Sequence, residues 1–289
     1  MQETVLKQEF NFSDQDFWNI SRMVTNHSGI ELPENKKSLV YSRLVRRIRT
    51  LNLQDFGAYY NLVQDGLDQG GDAEFLKLIH AITTNVTHLF REYHHFEHLE
   101  KTLLEMMTNQ KRITIWSCAA SIGAEPWSIA MVVDNCLKKR PNCEVKVIAS
   151  DIDTEVLSKA QEGVYDVNPE VVEGNPYLKK YLNLLNTDSD AHKPLHHNLY
   201  VIAPALRKHV EFKTINLLHN WQKKLPQPIH FVFCRNVIIY FSRKTQQQLF
   251  EKVSSVMQSG GYLYLGHSES LMGVSDDYEN LKKTIYKKK

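Results

Sequence analysis

The sequence predicts an α/β chain in which a helical N-terminal domain precedes a mainly parallel sheet. Three observations predict it. From Ser13 to Leu104 the apolar residues recur at helical spacing. From Ile113 onward short apolar runs alternate with helical patterns, the rhythm of a parallel sheet covered on both faces. Between the second and third of these runs, Tyr165 to His209 is too long for an ordinary crossover and reads as an inserted subdomain.

In order along the chain, Ser13 followed by Asp16 is a helix-start signal, and Phe17, Ile20 and Val24 form the apolar face behind it. A second helix fits Asn35 to Leu51, with Leu39, Val40, Leu44 and Ile48 on one side. A third fits Asp55 to Gly66, Gly70-Gly71 marks a turn, and Ala73 to Ile82 is a further amphipathic helix. Strands are expected at Ile113 to Cys118, Val145 to Ser150, Val210 to Ile215, Ile229 to Cys234 and Tyr262 to Gly266, with a closing strand around Ile285-Tyr286. Helices are expected from Pro126 to about Leu137, Thr154 to Glu162 and Thr245 to Met257. Short strands are expected within the insertion near Leu199 to Ile202. The expected domains are 1–104, helical with a linker, and 105–289, carrying the insertion at about 165–209.

The 289 residues are 42% hydrophobic and 24% charged, an ordinary globular composition with room for a sizeable core. No apolar run approaches bilayer length, and the first ten residues lack a basic-then-apolar leader, so a cytoplasmic protein is expected. Net charge is only +2, which argues against a nucleic-acid partner. Cys118, Cys136, Cys143 and Cys234 include no Cys-x-x-Cys pair, so a structural zinc site or disulfide framework is not expected. His94, His95 and His98 lack a convincing third ligand and read as solvated or capping residues, as does His267.

In open α/β sheets ligands bind beyond the carboxyl ends of the strands. The first strand is followed by small residues, Ala119-Ala-Ser-Ile-Gly-Ala-Glu-Pro126, that allow close backbone approach. No Gly-x-Gly-x-x-Gly or Gly-Lys-Ser/Thr pattern is present, which argues against nicotinamide and triphosphate ligands. The second strand ends in Ser150-Asp-Ile-Asp153, where Asp151 is placed for ribose hydroxyls and Asp153 for a helix cap. Asn216-Leu217 follows the third strand and could meet an adenine, and Cys234-Arg-Asn236 follows the fourth. A nucleoside carrying an amino-acid tail suits this set, and S-adenosylmethionine fits that description.

Five ordered segments resemble the chemotaxis-receptor glutamate methyltransferases, the CheR family. They are Thr83-Thr-Asn-Val-Thr-His-Leu-Phe-Arg-Glu92, Ser121-Ile-Gly-Ala-Glu-Pro-Trp-Ser128, Ala149-Ser-Asp-Ile-Asp153, Phe233-Cys-Arg-Asn-Val-Ile-Ile-Tyr240 and Gly266-His-Ser-Glu269. The resemblance runs from about Phe12 to Tyr286. It implies a Rossmann-like S-adenosylmethionine-dependent sheet domain, a helical N-terminal domain and an inserted small antiparallel β-subdomain. It also implies methyl transfer to glutamate carboxylates on the cytoplasmic helical bundle of methyl-accepting chemoreceptors. Family cofactor contacts fall on Asn85, Thr87, Arg91, Glu125, Asp151, Asn216, Leu217, Arg235 and Asn236, and residues near the reacting centre on Arg91 and Tyr240.

The basic second helix carries Lys36, Lys37, Arg43, Arg46, Arg47 and Arg49, expected to steer acidic receptor helices by charge. Where relatives usually carry two acids after the motif glycine, the first here is Ala124. No glycine-rich loop lies between Asn183 and Leu199, so an enzyme independent of a receptor's C-terminal tail is expected. The alternative is a non-catalytic scaffold that holds S-adenosylmethionine or S-adenosylhomocysteine in a chemosensory array. An RNA or small-molecule methyltransferase is disfavoured by the lack of an Asn-Pro-Pro-Tyr-type motif. A monomer is the default.

Overall fold

A computed structural model describes residues 9–83, 87–185 and 198–289. The contacts divide the chain at Thr84/Asn85 into two compact units, with Tyr240–Thr245 grouped with the first.

The first unit contains α1 (Asp14–Ser28), α2 (Lys37–Thr50), α3 (Phe56–Asp68) and α4 (Ala73–Ile82). Helix α1 opens on the expected capping box: Asp16 N donates to Ser13 Oγ, and Ser13 N donates to the Asp16 carboxylate at 3.0 Å. It stops at Gly29, whose φ of 75° suits glycine. The helical stripes meet in one core containing Phe17, Ile20, Val24, Val40, Leu44, Ile48, Phe56, Tyr59, Phe75, Leu78 and Ile79. Leu39, expected on the buried side of α2, is only partly covered.

The second unit carries α5 (His94–Met106), β1 (Arg112–Ser117), α6 (Ala124–Lys139), β2 (Glu144–Asp151), α7 (Thr154–Glu162), β3 (Val164–Val167), α8 (Pro169–Gly174), α9 (Pro176–Tyr181), β4 (Leu182–Leu184), β5 (Asn198–Ile202), β6 (Val210–Thr214), β7 (Ile229–Phe233), α10 (Arg243–Val256), β8 (Met257–Tyr264), β9 (Tyr278–Asn280) and β10 (Ile285–Lys288). The first three residues of α10, Arg243 to Thr245, group with the first unit, and the rest of the helix groups with the second. Helix α5, read from sequence as part of the helical N-terminal stretch, packs on α6 and groups with this sheet unit.

Seven strands form one sheet in the order β6-β2-β1-β7-β8-β10-β9. The first five are mutually parallel, and β10 and β9 close the edge antiparallel. Ile113 and Ile115 of β1 join Phe231 and Phe233 of β7 beneath Phe96, Leu99 and Trp127, in one core cluster. Trp116, one residue out of phase, packs against Trp221. The insertion forms a separate antiparallel sheet in the order β3-β5-β4. Buried Asp134 of α6 ties that insertion down, accepting from Tyr181 Oη at 2.8 Å and pairing with His209 Nε2 at 3.2 Å. The segment expected to lack a glycine-rich loop falls largely on residues 186–197, outside the described residues. Among the described residues, no helix is long and apolar enough to cross a membrane. All four cysteines are buried and unbridged.

Candidate active site

Chain direction reverses its winding between β1 and β7: β2 and β6 lie to one side of β1, and β7 and β8 to the other. The carboxyl ends of these strands carry most of the sequence-predicted residues, the place where such sheets bind ligands. After β1 the chain turns tightly into α6. Gly123 has a φ of 86°, and a Cβ there would come within 2.7 Å of Ala160 Cβ, so glycine is required on two grounds. The helix starts at Ala124 rather than at the expected Pro126, because Gly123 serves as its N-cap. Ala124 is fully buried in the core cluster.

Asp151 ends β2 and holds this turn. Its Oδ2 accepts from Ser121 N at 2.8 Å and its Oδ1 from Asp153 N at 3.1 Å. A carboxylate has about four acceptor positions, so these two bonds and the further pull of the Ile152 N–H do not fill it. Burial raises the Asp151 pKa to about 6, against the opposing pull of these backbone N–H groups. Asp153 caps α7, accepting from Glu155 N at 2.8 Å and Val156 N at 3.2 Å. The two acids thus divide the work: one is committed to a helix end, while the other retains free lone pairs at the sheet edge.

After β7, Arg235 is buried between acids. Its Nη1 donates to Glu125 Oε2 at 2.8 Å, its Nη2 donates to the Arg91 carbonyl at 2.5 Å, and Nη2 lies 3.3 Å from Glu92 Oε2. Ser117 Oγ, at the end of β1, donates to the other Glu125 oxygen at 2.6 Å. Burial pushes the Glu92 carboxyl up, yet Arg235, His267 and His95 together outweigh it and hold its pKa below the usual carboxylate range. The Arg235 Nε makes no hydrogen bond among the described residues. His95 departs from the sequence expectation of a solvated or capping residue. It is fully buried, donates from Nε2 to the Lys283 carbonyl at 3.0 Å, and burial with nearby Arg235 pushes its pKa down to about 3.

Arg91 itself is partly exposed and sits between Phe90 and Glu92, both at positive φ. Ser121 and Asn236, in the loops after β1 and β7, share that left-handed conformation, a backbone that costs side-chain-bearing residues energy. Asn216 follows β6, and its Oδ1 accepts from Leu218 N at 3.0 Å. Leu217 is buried, with its carbonyl accepting from Trp221 Nε1 at 3.0 Å. Thr87 is partly exposed just ahead of Arg91, while Asn85 lies outside the described residues. Tyr240 groups with the first unit, where its carbonyl accepts from Glu31 N at 2.8 Å.

The basic helix α2 splits into two sets. Arg47 forms a bidentate pair with Glu74, both bonds at 2.6 Å, and Glu74 also accepts from Tyr59 Oη. Lys37 pairs with Asp14, and Arg49 with Glu9 at 2.5 Å. These three side chains are engaged inside their own unit. Lys36, Arg43 and Arg46 are exposed and form no ion pair among the described residues. Sequence reasoning grouped all six because acids 23 to 40 positions away leave no mark on a helical pattern.

Glu92, Ser117 and Glu269 were not singled out as site residues. The first and last stand in motifs quoted above, so their presence was visible and their contacts were not. Among the described residues no group of three or more His, Cys, Asp or Glu side chains is disposed to hold a metal. The donor set fits a nucleoside with an amino-acid tail. Asp151 offers remaining acceptor capacity, Asn216 an amide, Leu217 an apolar neighbour, and the Arg235 group a fixed charge array near the strand ends.

Two family models match the chain: "CheR methyltransferase, all-alpha domain" over residues 15–83, and "CheR methyltransferase, SAM binding domain" over residues 85–287. The chemotaxis protein methyltransferase of Escherichia coli is 37% identical over 274 residues, 95% of this chain and 91% of the relative. That of Salmonella typhimurium is 35% identical over 281 residues, 97% and 92%. Chemotaxis protein methyltransferase 2 of Pseudomonas aeruginosa is 37% identical over 281 residues, 96% and 95%.

Proposed function

This chain belongs to the CheR family and is an S-adenosylmethionine-dependent methyltransferase, and from that premise we propose that it esterifies glutamate side chains on the helical bundle of chemoreceptors in the cytoplasm. The observation that carries the reading is near-full-length similarity to named chemotaxis methyltransferases. An acid with open acceptor positions at the carboxyl end of β2 supports it. The same names disfavour a non-catalytic scaffold.

When bound, S-adenosylmethionine supplies an activated methyl group on sulfonium. The Asp151 carboxylate would accept from ribose hydroxyls, Asn216 and Leu217 would hold the base, and Glu125, Arg235, Asn236, Thr87 and Asn85 would complete the cofactor contacts. A glutamate carboxylate is ionised at neutral pH, so the protein needs no strong general base. Its task is alignment and exclusion of water, which can lower a barrier by about 7 kcal/mol or more. Arg91 steers one substrate oxygen and leaves the other free to react, and Tyr240 donates a positioning hydrogen bond. The proposal for Tyr240 rests on its motif alone.

The exposed Arg43 and Arg46 of α2, with Lys36 at its N-cap, form the surface that meets an acidic receptor helix. Arg47 is withdrawn from that role, because reversing its charge would break the pair with Glu74 and confuse docking with stability. Replacing Arg43 and Arg46 together by glutamate is expected to lower kcat/KM toward receptor fragments roughly tenfold at low salt. The gap should narrow as salt rises. Affinity for S-adenosylhomocysteine, read by titration calorimetry, should stay unchanged. Equal loss of both would remove α2 from docking. The reading as a whole is tested by transfer of labelled methyl to receptor cytoplasmic fragments, with and without their C-terminal tails. Tight cofactor binding with no transfer to any receptor would overturn it.

A further inference from the structure

Glu269 is 95% buried yet carries a carboxylate. Both of its oxygens are used twice, each time by a backbone N–H. Oε2 accepts from Asn236 N at 2.8 Å and from Gly266 N at 2.6 Å. Oε1 accepts from Ile238 N at 3.0 Å and, more weakly, from Ile239 N at 3.4 Å. One side chain therefore gathers the loop after β7 and the loop after β8 onto a single anchor. Burial pushes the Glu269 carboxyl up, and the four amides pull the other way.

The loop it holds is the one that carries Arg235 and Asn236. Asn236 sits at a φ of 58°, a conformation that persists only when its surroundings fix it. Gly266 supplies the remaining space: a Cβ there would lie 2.3 Å from Asn236 Nδ2. The Asn236 amide group is thus packed against Gly266 and beside the Glu269 carboxylate, with its own backbone N–H tied to that carboxylate.

We propose that Glu269 is the positioning residue of the cofactor loop, setting the backbone from Arg235 to Ile239 so that Arg235 and Asn236 are presented at the sheet edge in one fixed arrangement. This rests on the methyltransferase reading above. Glu269 touches neither cofactor nor substrate in this role; it acts through the loop. An amide cannot replace it. Glutamine has the same shape, but its NH₂ group would face two N–H donors wherever it turned, leaving buried donors unmet.

The test compares S-adenosylhomocysteine affinity, KM for S-adenosylmethionine and kcat in the full chain, its Glu269→Gln variant and a Val253→Ala control. Val253 is a core residue of α10, so its variant supplies a loss of thermal stability unrelated to the loop. Glu269→Gln is expected to weaken S-adenosylhomocysteine binding at least about tenfold, with a parallel rise in KM. Val253→Ala should lower Tm and leave affinity in the folded protein within about twofold. Affinity within twofold of wild type in Glu269→Gln would overturn the proposal, as would an equal affinity loss in the control. Should Glu269→Gln fail to fold, amide hydrogen exchange on the wild-type chain decides. The amides of Asn236, Gly266, Ile238 and Ile239 are expected to exchange as one group that S-adenosylhomocysteine protects further. Independent exchange, unaffected by the ligand, would overturn the proposal. A wild-type chain that binds no S-adenosylhomocysteine would overturn the methyltransferase reading itself, and this inference with it. Normal wild-type binding with an unaffected variant overturns the inference alone.

Discussion

Replacing Arg235 with alanine is expected to destabilise the sheet unit by about 3 to 5 kcal/mol, the usual result of removing one partner from a buried charge group. Three observations set the size. The guanidinium is 3% exposed at its side chain, it pairs with Glu125 at 2.8 Å, and it lies 3.3 Å from Glu92. Removing it leaves two carboxylates facing each other without their shared cation and strips the Arg91 carbonyl of a donor. Thermal unfolding followed by circular dichroism should show Tm lowered on the order of 10 °C. The pH dependence carries a sign. In the native protein Glu92 is held below its ordinary pKa, so its contribution is present at neutral pH and is lost as pH falls through the depressed folded value. Without Arg235 that contribution is gone, and the variant should lie closest to wild type at the acid end. A Tm within 2 °C of wild type at neutral pH would show that the cluster is relaxed by water and does not constrain the loop.

Replacing Asp151 with asparagine is expected to weaken S-adenosylhomocysteine binding on the order of 100-fold, about 3 kcal/mol. The carboxylate accepts from Ser121 N and Asp153 N and also feels the Ile152 N–H, which still leaves acceptor capacity for a hydroxyl donor. Asparagine keeps one acceptor oxygen and must turn its NH₂ group toward Ser121 N or Asp153 N, so it loses a bond of the turn and has less acceptor capacity for the ligand. Charge strengthens each remaining bond, and a pKa raised to about 6 makes that charge sensitive to pH. Wild-type affinity should be flat above that value and fall as pH drops below it, where the acid takes up a proton and loses acceptor strength. Binding near pH 6 should release a proton, detectable by calorimetry in buffers of different ionisation enthalpy. Asp151→Asn should remove this dependence. Stability runs the other way: between about 3.8 and about 6 the folded chain holds a proton that the unfolded chain has released, so folding weakens as pH rises through that window. A variant that binds as tightly as wild type, or a wild type whose affinity ignores pH, would displace Asp151 from the ribose.

Much of this was legible from local chemistry. The runs at Ile113, Val145, Val210, Ile229 and Tyr262 became β1, β2, β6, β7 and β8, because apolar residues on strands buried on both faces write themselves as near-continuous runs. Ser13 with Asp16, and Asp153 ahead of α7, read correctly as caps because a cap is made by residues two or three apart. What failed to show was nonlocal. His95 lies on a helix of mixed polarity, is buried, and finds its hydrogen-bond partner 188 residues away. Arg47 was counted with its basic neighbours, although Glu74 had already claimed it. Glu269 stood in a motif with no visible duty, because its four partners are backbone amides, which no side-chain pattern records.

The glutamyl ester is the central claim: its base lability separates it from N- and S-methylated side chains, and the mapped position separates it from an aspartyl ester. Receptor cytoplasmic fragments should be labelled with methyl-tritiated S-adenosylmethionine and this chain, then treated with mild base. Release of the label as volatile methanol, with the modified positions mapping to glutamates, is the predicted result. Label that survives base on the receptor, as N-methyl groups do, would contradict it.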